Sequence, residues 1–149
     1  MTTVTDADKQ AFFSDVESAT KKAIWAAVAT AADGVPRVRM VHPTWEGDIL
    51  WFATSKASPK AAQLAANPLI DVQFQVAPPD FVHILVHGSV ELLDDAESRQ
   101  HAWDVLDYDL AEFWPEGVDS PDYLVVKITP SRVELSEMFG MANKRVWRA

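Results

Sequence analysis

The sequence predicts a mainly β fold, in which mostly antiparallel strands form a closed or split barrel with helices at its periphery. Apolar and polar residues alternate along short segments, most clearly at Ile70, Val72 and Phe74, and this period of two is typical of a half-buried strand. Turn signals such as Asp33-Gly34 separate consecutive segments. A chain of 149 residues, 48% of them hydrophobic, is long enough for one domain (residues 1–149) with a buried core.

The predicted elements alternate between strands and a few helices. In chain order they are a helix from Asp6, strands over Ile24–Thr30, Val35–His42 and Ile49–Thr54, a helix from Ser58 to Asn67-Pro68, strands over 70–75 and Phe81–Leu93, a helix over Glu97–Leu110, and strands over Tyr123–Thr129 and Arg132–Glu137.

Local signals justify the first half of this order. Asp6 can cap a helix, and an apolar stripe marks its buried face at Phe12, Phe13, Val16 and Ala19. Asp33-Gly34 indicates a tight hairpin between the first two strands. The turn at 46–48 is expected to pair the strand over Val35–His42 with the strand over Ile49–Thr54.

In the second half of the chain, prolines and one glycine indicate where the predicted elements are interrupted. Pro78-Pro79 interrupts the chain before the long strand, in which Gly88 predicts a bulge or a close backbone approach. The segment from Trp114 to Gly117 begins a loop, and Pro130 is expected to divide the last two strands.

The start of the second helix has the features of a phosphate site. Ser58 is a good N-cap and Pro59 suits the first helical position, where no amide donor is needed. Lys60 then places a cation beside the positive end of the helix, which is unfavourable unless an anion binds there. The alternative is an ordinary capped helix whose lysine is solvated.

Arg39 is the second basic residue of this candidate site. It shares one face of a strand with Arg37 and Val41, and the expected pairing with Ile49–Thr54 would bring it towards Lys60. An arginine can bind a phosphate through two donors while a lysine adds a point charge. The alternative is a solvent-facing strand arginine.

Several motifs, in order and spacing, resemble the pyridoxamine 5′-phosphate oxidase-like flavin-binding split barrels, and within them the general stress protein 26 group. The resemblance implies an FMN-binding split barrel that binds FMN at a homodimer interface. The segments that carry it are Ala29–Met40, Leu50–Thr54, Ser58–Lys60, Asn67-Pro68, Val86–Glu91 and Phe113–Gly117.

The resemblance also assigns roles to individual residues. Arg39, Ser58 and Lys60 would bind the FMN phosphate. Thr54 and the backbone around Met40 and Val41 would hold the ribityl chain and the pyrimidine edge of the flavin, with Met40 packed on its face.

His83 lies where the family often offers a polar side chain to the flavin ring; the alternative is a partly buried sheet histidine. His87 shares its strand face, but four residues along a strand separate the two by roughly 13 Å. They cannot ligate one metal ion together, and no metal site is expected.

Two of the six tryptophans are candidates to cover a flat ring. Trp114 lies in the loop segment Phe113–Gly117, and Trp147 lies in the C-terminal tail. For both, the alternative is a core or interface position, where large aromatic residues are common.

A homodimer is expected on physical grounds as well. A barrel of this size is filled by its own side chains, so a flavin must lie on an outer face and be covered there. A twofold-related subunit covers two equivalent clefts at once.

Composition excludes several classes of function. The net charge of -9 repels nucleic acid phosphates. The absence of cysteine excludes disulfides and zinc-thiolate sites. No signal peptide or membrane span is recognisable, so a cytoplasmic protein is expected.

Three functions remain open. They are an FMN-dependent oxidoreductase, a flavin-binding stress module without turnover, and a reductase using deazaflavin F420, whose anionic tail would need a groove built from Arg37, Arg39, Lys56 and Lys60. No glycine-rich dinucleotide fingerprint is present, so NAD(P)H binding would be transient. The tail after Phe139 lacks the Arg-x-His pattern with which pyridoxamine phosphate oxidases bind substrate, and no histidine follows His101, which disfavours haem degradation.

Overall fold

Strands are the most abundant secondary structure of the fold, as a computed structural model of residues 1–149 shows. The helices are α1 (Lys9–Ala23), α2 (Pro59–Ala66) and α3 (Ala96–Val105). The strands are β1 (Thr2–Thr3), β2 (Ala26–Ala32), β3 (Val35–Val41), β4 (Thr44–Glu46), β5 (Ile49–Ser55), β6 (Leu69–Gln75), β7 (Val82–Leu93), β8 (Tyr123–Glu137) and β9 (Ala142–Arg148). None of the helices has the length and apolar character that crossing a membrane requires.

The sheet branches at β8. The main path runs in the order β1-β9-β8-β7-β6-β2-β3. Along one edge β8 pairs with β7, and along the other its first part pairs with β5 and its last part with β9. Every pair is antiparallel except β1 with β9. The sheet does not close, because β3 ends the path with an unpaired edge, and the predicted split barrel is confirmed.

The larger of two hydrophobic clusters joins α1 to the sheet. Phe12, Phe13 and Val16 of α1 are buried in this cluster, and Ala19 packs against it, as the apolar stripe predicts. Hydrogen bonds also join the helix to the sheet: the Trp45 indole donates to Thr20 Oγ1 over 3.0 Å, and the Arg145 guanidinium donates to Asp15 over 2.9 Å.

The smaller cluster fixes the long connection between α3 and β8. Tyr123 is fully buried at its centre, and its hydroxyl donates to the Arg99 carbonyl over 2.9 Å. The Arg99 guanidinium donates in turn to backbone carbonyls of Val118, Ser120 and Tyr123. These contacts hold a loop that would otherwise have little regular structure.

The expected pairing of β3 with the strand after the second turn is wrong. The turn at Gly47 joins β5 to the short strand β4, while β3 pairs only with β2. The hairpin signal was local, and it did not reveal that residues 44–46 form a strand of their own.

The first sheet strand starts later than predicted. Ile24 adopts φ 66° and ψ −61°, and the Trp25 amide donates to the Ala23 carbonyl over 2.8 Å, which forms a γ-turn. This turn ends α1 and leaves Trp25 62% exposed before β2 begins.

The C-terminal third also differs from the prediction. β8 is continuous through Pro130, which lies opposite Gly88 where the register shifts. α3 ends at Val105 rather than Leu110. The tail, which carried no strand prediction, forms β9 after a turn in which Met138 and Phe139 have positive φ angles.

Gly88 is confirmed as a point of close backbone approach. A Cβ atom there would lie 2.8 Å from the Thr129 carbonyl oxygen and 3.1 Å from Ile128 Cγ2. We therefore expect Gly88→Ala to lower the free energy of unfolding by about 1–3 kcal/mol, as overpacking typically does. Urea denaturation monitored by far-UV circular dichroism measures this loss.

The matched control is Ser89→Ala, an exposed position on the same strand, which should change stability by less than about 0.5 kcal/mol. Equal midpoints for Gly88→Ala and the wild type would contradict the steric role of Gly88.

Candidate functional site

The N-terminus of α2 has the predicted capped geometry. Ser58 is the N-cap and its Oγ accepts from the Ala61 amide over 3.2 Å, while Pro59 occupies the first turn. The remaining first-turn amides are available to an external acceptor. This end of α2 follows directly from the exit of β5.

Lys60 projects from the first turn and contacts only neutral oxygen. Its Nζ donates to Thr54 Oγ1 over 2.8 Å, and Thr54 Oγ1 lies 3.3 Å from Ser58 Oγ. No carboxylate forms a salt bridge with it. Burial, with a smaller contribution from the Arg39 charge, lowers the pKa of Lys60 from its usual value.

Arg39 likewise contacts only neutral groups. Its guanidinium donates to Thr30 Oγ1 on β2 and to Gln63 Oε1 on α2, the second over 2.7 Å. The Thr30 hydroxyl also donates to Gln63 Oε1 over 2.7 Å, which completes a triangle. Burial and the neighbouring Arg37 charge lower the pKa of Arg39.

The structure thus brings together the four residues predicted for phosphate and ribityl binding: Arg39, Thr54, Ser58 and Lys60. The sequence analysis predicted that these residues lie close together, but it did not predict the contacts through which Arg39 reaches the others. Arg39 reaches α2 across β2 and through Gln63, rather than by pairing of β3 with β5.

A cleft of about 390 Å³ adjoins this cluster, a volume at the low end of ligand pockets, which span about 300–1,000 Å³. It lies where β3 and β5 are unpaired with each other. Met40, Val41 and Lys60 line it, as predicted for a ring site, together with residues that the sequence did not single out: Trp25, His42, Ala53, Tyr108 and Phe113.

Aromatic rings form one wall of the cleft. The His42 ring stacks on Tyr108 with centroids 4.4 Å apart and planes 18° apart, and Phe113 meets Tyr108 edge-on at 5.9 Å. His42 Nε2 also lies 2.9 Å from Asp107 Oδ1. Burial, with a smaller contribution from Asp107, raises the pKa of Tyr108 to about 12, so its hydroxyl stays protonated at neutral pH.

Trp114 and Trp147 occupy core positions, which was the alternative to a ring-covering role. Trp114 is 7% exposed and meets Tyr123 edge-on, and Trp147 is 6% exposed on β9 against Phe13. Neither lines the cleft. The exposed neighbour of Trp114, Phe113, does so instead, and the loop motif could have indicated it.

His83 is also outside the cleft of its own chain, because β6 and β2 lie between β7 and β3. It is buried, with Nδ1 2.8 Å from Gln75 Oε1 and Phe139 stacked on its ring at 4.9 Å. Its Nε2 has no hydrogen-bond partner.

Chemically, the cluster at α2 is suited to a phosphate group, and the cleft to a flat and largely apolar body. Lys60 and Thr54 lie beside the Ser58 cap, and Arg39 is near enough for its charge to lower the pKa of Lys60. Apolar or aromatic side chains surround the adjoining space.

The comparisons with known proteins agree with one another on the family. General stress protein 26 of Bacillus subtilis is 24% identical over 110 residues, which cover 72% of this chain and 76% of that protein. The crystal structure of a protein related to general stress protein 26 from Clostridium acetobutylicum has a TM-score of 0.75 at 20% identity, covering 93% of this chain and 95% of that one.

Two other solved structures share the fold at lower coverage. A FAD-binding protein from Mesorhizobium loti has a TM-score of 0.62 at 24% identity, covering 79% of this chain and 91% of that one. A structure described as F420 reductase has a TM-score of 0.62 at 23% identity, covering 78% and 94%.

The family model described as pyridoxamine 5′-phosphate oxidase matches residues 6–137. The match confirms the resemblance on which the sequence analysis relied. Since it spans most of the chain, this protein belongs to the pyridoxamine 5′-phosphate oxidase family.

Proposed function

We propose that this protein binds FMN and acts as a flavin-dependent oxidoreductase of the general stress protein 26 type. The observation that carries the proposal is the pair of cations, Lys60 and Arg39, that converge at the start of α2 without any carboxylate partner. The family membership and the FAD-binding structural neighbour support a flavin.

Electrostatics favour a phosphate monoester at this point. Burial lowers the pKa of both cations, and the Arg39 charge lowers the pKa of Lys60 further, so keeping both groups charged is costly when no anion is bound. In a chain with a net charge of -9, carboxylates could easily have neutralised them. A phosphate monoester carries about −1.5 to −2 charges at neutral pH, which matches the two cations.

The remaining predicted contacts follow from the position of the cleft. Thr54 would hydrogen-bond the ribityl chain beside the phosphate. β3 has one unpaired edge, so backbone amides and carbonyls near Met40 and Val41 are available to the polar rim of the flavin. Met40, 62% exposed at the cleft, would pack on the ring face.

The distribution of charge favours FMN over deazaflavin F420. Of the four basic residues that could form a longer groove, Lys56 is paired with Asp94 at 2.7 Å. Arg37 is exposed and donates to the Pro36 carbonyl. Only Arg39 and Lys60 remain to bind anions, enough for one phosphate but short of an extended polyanionic tail.

FMN would supply the redox chemistry, and the chain's residues would bind it, orient it and limit the access of water. An electron donor such as NAD(P)H would bind transiently. The cleft holds no paired carboxylates and no nucleophile, and an enzyme whose redox chemistry comes from a flavin needs neither. The second candidate function is a flavin-binding stress module without turnover.

We further propose that the active form is a homodimer with the flavin at its interface. The cleft is open, and its apolar side chains Trp25, Met40 and Phe113 are each more than 60% exposed. Val38, two residues before Met40 on β3, is 70% exposed as well. A twofold-related subunit would cover these side chains and both flavins.

Titration of FMN and riboflavin into variants tests the phosphate site. We expect Lys60→Ala and Arg39→Ala each to weaken FMN binding by about 10- to 150-fold, because one charge-assisted hydrogen bond contributes about 1.5–3 kcal/mol. Riboflavin, which lacks the phosphate, should bind wild type and variants alike. Fluorescence quenching of the flavin reports both affinities.

Lys56→Ala is the matched control, since this lysine is nearby but paired with Asp94; it should leave FMN affinity unchanged. Lys60→Met separates binding from folding. The pKa of Lys60 is lowered in the fold, so its charge destabilises the apoprotein at neutral pH, and this destabilisation fades as the pH rises towards the usual lysine pKa. Removing the charge in Lys60→Met should therefore not destabilise the fold, and a loss of FMN affinity in this variant reports on binding. Unchanged FMN affinity in both alanine variants would refute the phosphate site.

Anaerobic mixing with NAD(P)H distinguishes the enzyme from the module. We expect the visible absorption of the bound flavin to bleach on addition of NADH or NADPH and to return when an acceptor is added, because an oxidoreductase must cycle its cofactor. Stopped-flow spectroscopy measures both phases, and free FMN is the control. Bleaching no faster than that of free FMN would favour the module.

Analytical ultracentrifugation tests the homodimer. If the flavin lies between two subunits, FMN stabilises the dimer by mass action, and the dimer fraction at low micromolar protein should rise with FMN but not with inorganic phosphate. Met40→Glu, which places charge on the exposed face of β3, should weaken the dimer. A monomer that binds FMN as tightly as the dimer would exclude the interface model.

A further inference from the structure

We propose that Gln63, together with Thr30, is the positioning residue that orients the Arg39 guanidinium towards the phosphate of the bound ligand without neutralising it. The inference rests on the proposed function, because it takes the anion at the start of α2 to be the phosphate of FMN. It goes beyond that function by naming a residue that acts through Arg39 and the edge of the guanidinium that meets the anion.

The first argument is the hydrogen-bonded triangle that fixes each member. Thr30 Oγ1 accepts from Arg39 Nη1 and donates its only proton to Gln63 Oε1 over 2.7 Å. Gln63 Oε1 also accepts from Arg39 Nη2 over 2.7 Å. Only the oxygen of a side-chain amide can accept both protons, so the Gln63 amide has a single orientation here. Thr30 is buried, and water therefore competes little for its hydroxyl.

The second argument is which donors of Arg39 remain. A guanidinium has five N–H donors. The bonds from Nη1 and Nη2 go to two oxygens that lie 2.7 Å apart, so they occupy the edge between the two terminal nitrogens. The edge that contains Nε is left without a protein acceptor, and such an edge can bind two oxygens of one phosphate. Lys60 precedes Gln63 by three residues and shares its face of α2, so Gln63 holds the guanidinium on the face that carries the lysine.

The third argument is that α2 has other contacts that hold it on the sheet. Leu64 is buried in the larger hydrophobic cluster. Asn67, at the end of the helix, donates from Nδ2 to the Ala31 carbonyl on β2 over 2.9 Å. The helix is therefore fixed next to β2 by residues on either side of the hydrogen bonds of Gln63, which leaves the orientation of Arg39 as the specific task of this amide.

The fourth argument is the neutrality of the acceptor. Three other arginines of this chain, Arg99, Arg132 and Arg145, form salt bridges with carboxylates at 2.6, 2.7 and 2.9 Å. Arg39 instead meets an amide and a hydroxyl. A glutamate has nearly the same size as glutamine and could make both contacts of Gln63, but it would cancel the positive charge. The amide thus fixes the guanidinium and keeps its charge available to an anion.

Gln63→Glu separates this role from a structural one. We expect FMN affinity to fall by about 10- to 150-fold, as expected for the loss of one charge-assisted contact. The unfolding temperature of the apoprotein should rise, because the new carboxylate pairs with Arg39. Riboflavin, which has no phosphate, should bind as it does to the wild type. Fluorescence quenching of the flavin measures both affinities, and circular dichroism follows thermal unfolding.

The matched control is Gln10→Glu. Gln10 is exposed on α1, and the substitution makes the same change of net charge away from α2. FMN affinity should be unchanged in this variant. A purely structural Gln63 predicts the opposite pattern for Gln63→Glu, namely wild-type FMN affinity in a fold that is at least as stable.

A double-mutant cycle tests whether Gln63 acts through Arg39. Gln63→Met removes the acceptor without adding charge, and it should weaken FMN binding by about 2- to 10-fold, the usual effect of one neutral hydrogen bond. In the Arg39→Ala background the same substitution should have no further effect, because the group that it orients is gone.

The outcomes distinguish the two proposals. A wild-type protein that does not bind FMN refutes the proposed function and this inference together. If Arg39→Ala weakens FMN binding but Gln63→Glu binds FMN as tightly as the wild type, the inference fails while the proposed function stands. An equal loss from Gln63→Met with and without Arg39 would also overturn the inference, and this comparison remains decisive if Gln63→Glu does not fold.

Discussion

The pairing of β8 determines where the open cleft of this protein lies. One edge of β8 pairs with β5 and with β9, and its other edge pairs with β7. β4 then takes part of the remaining edge of β5, so β3 is left with a single neighbour. The gap between β3 and β5 is the cleft, and α2 starts at its end. An all-paired barrel of these strands would have no such space.

The two parts of the site place opposite demands on the chain. The cluster around Lys60 and Arg39, proposed to bind phosphate, gathers charge in a half-buried position and so destabilises the fold while no anion is bound. The cleft, in contrast, exposes apolar surface that proteins normally bury. Neutral hydroxyl and amide oxygens, such as those of Thr30 and Gln63, keep Arg39 in place without cancelling its charge. A carboxylate there would hold the arginine better and leave it unable to bind an anion.

Features encoded by a few neighbouring residues were predicted correctly from the sequence. The cap at Ser58 and the alternation along β6 are examples. Features that depend on long-range pairing were not. The cluster around Lys60 was predicted although β3 does not pair with β5, because Arg39 arrives through β2 and Gln63 instead. The direction of a side chain in a loop is equally non-local, and for that reason Phe113 lines the cleft where Trp114 was the candidate.

The free edge of β3 has a consequence for behaviour in solution. Unpaired strand edges invite the edges of other chains, and proteins guard them with proline and with charges of one sign. β3 carries Pro36, which lacks an amide donor, and two arginines, Arg37 and Arg39, that repel the same strand of another molecule. Arg39 would therefore serve two purposes, one in ligand binding and one in keeping molecules from joining edge to edge into disordered aggregates.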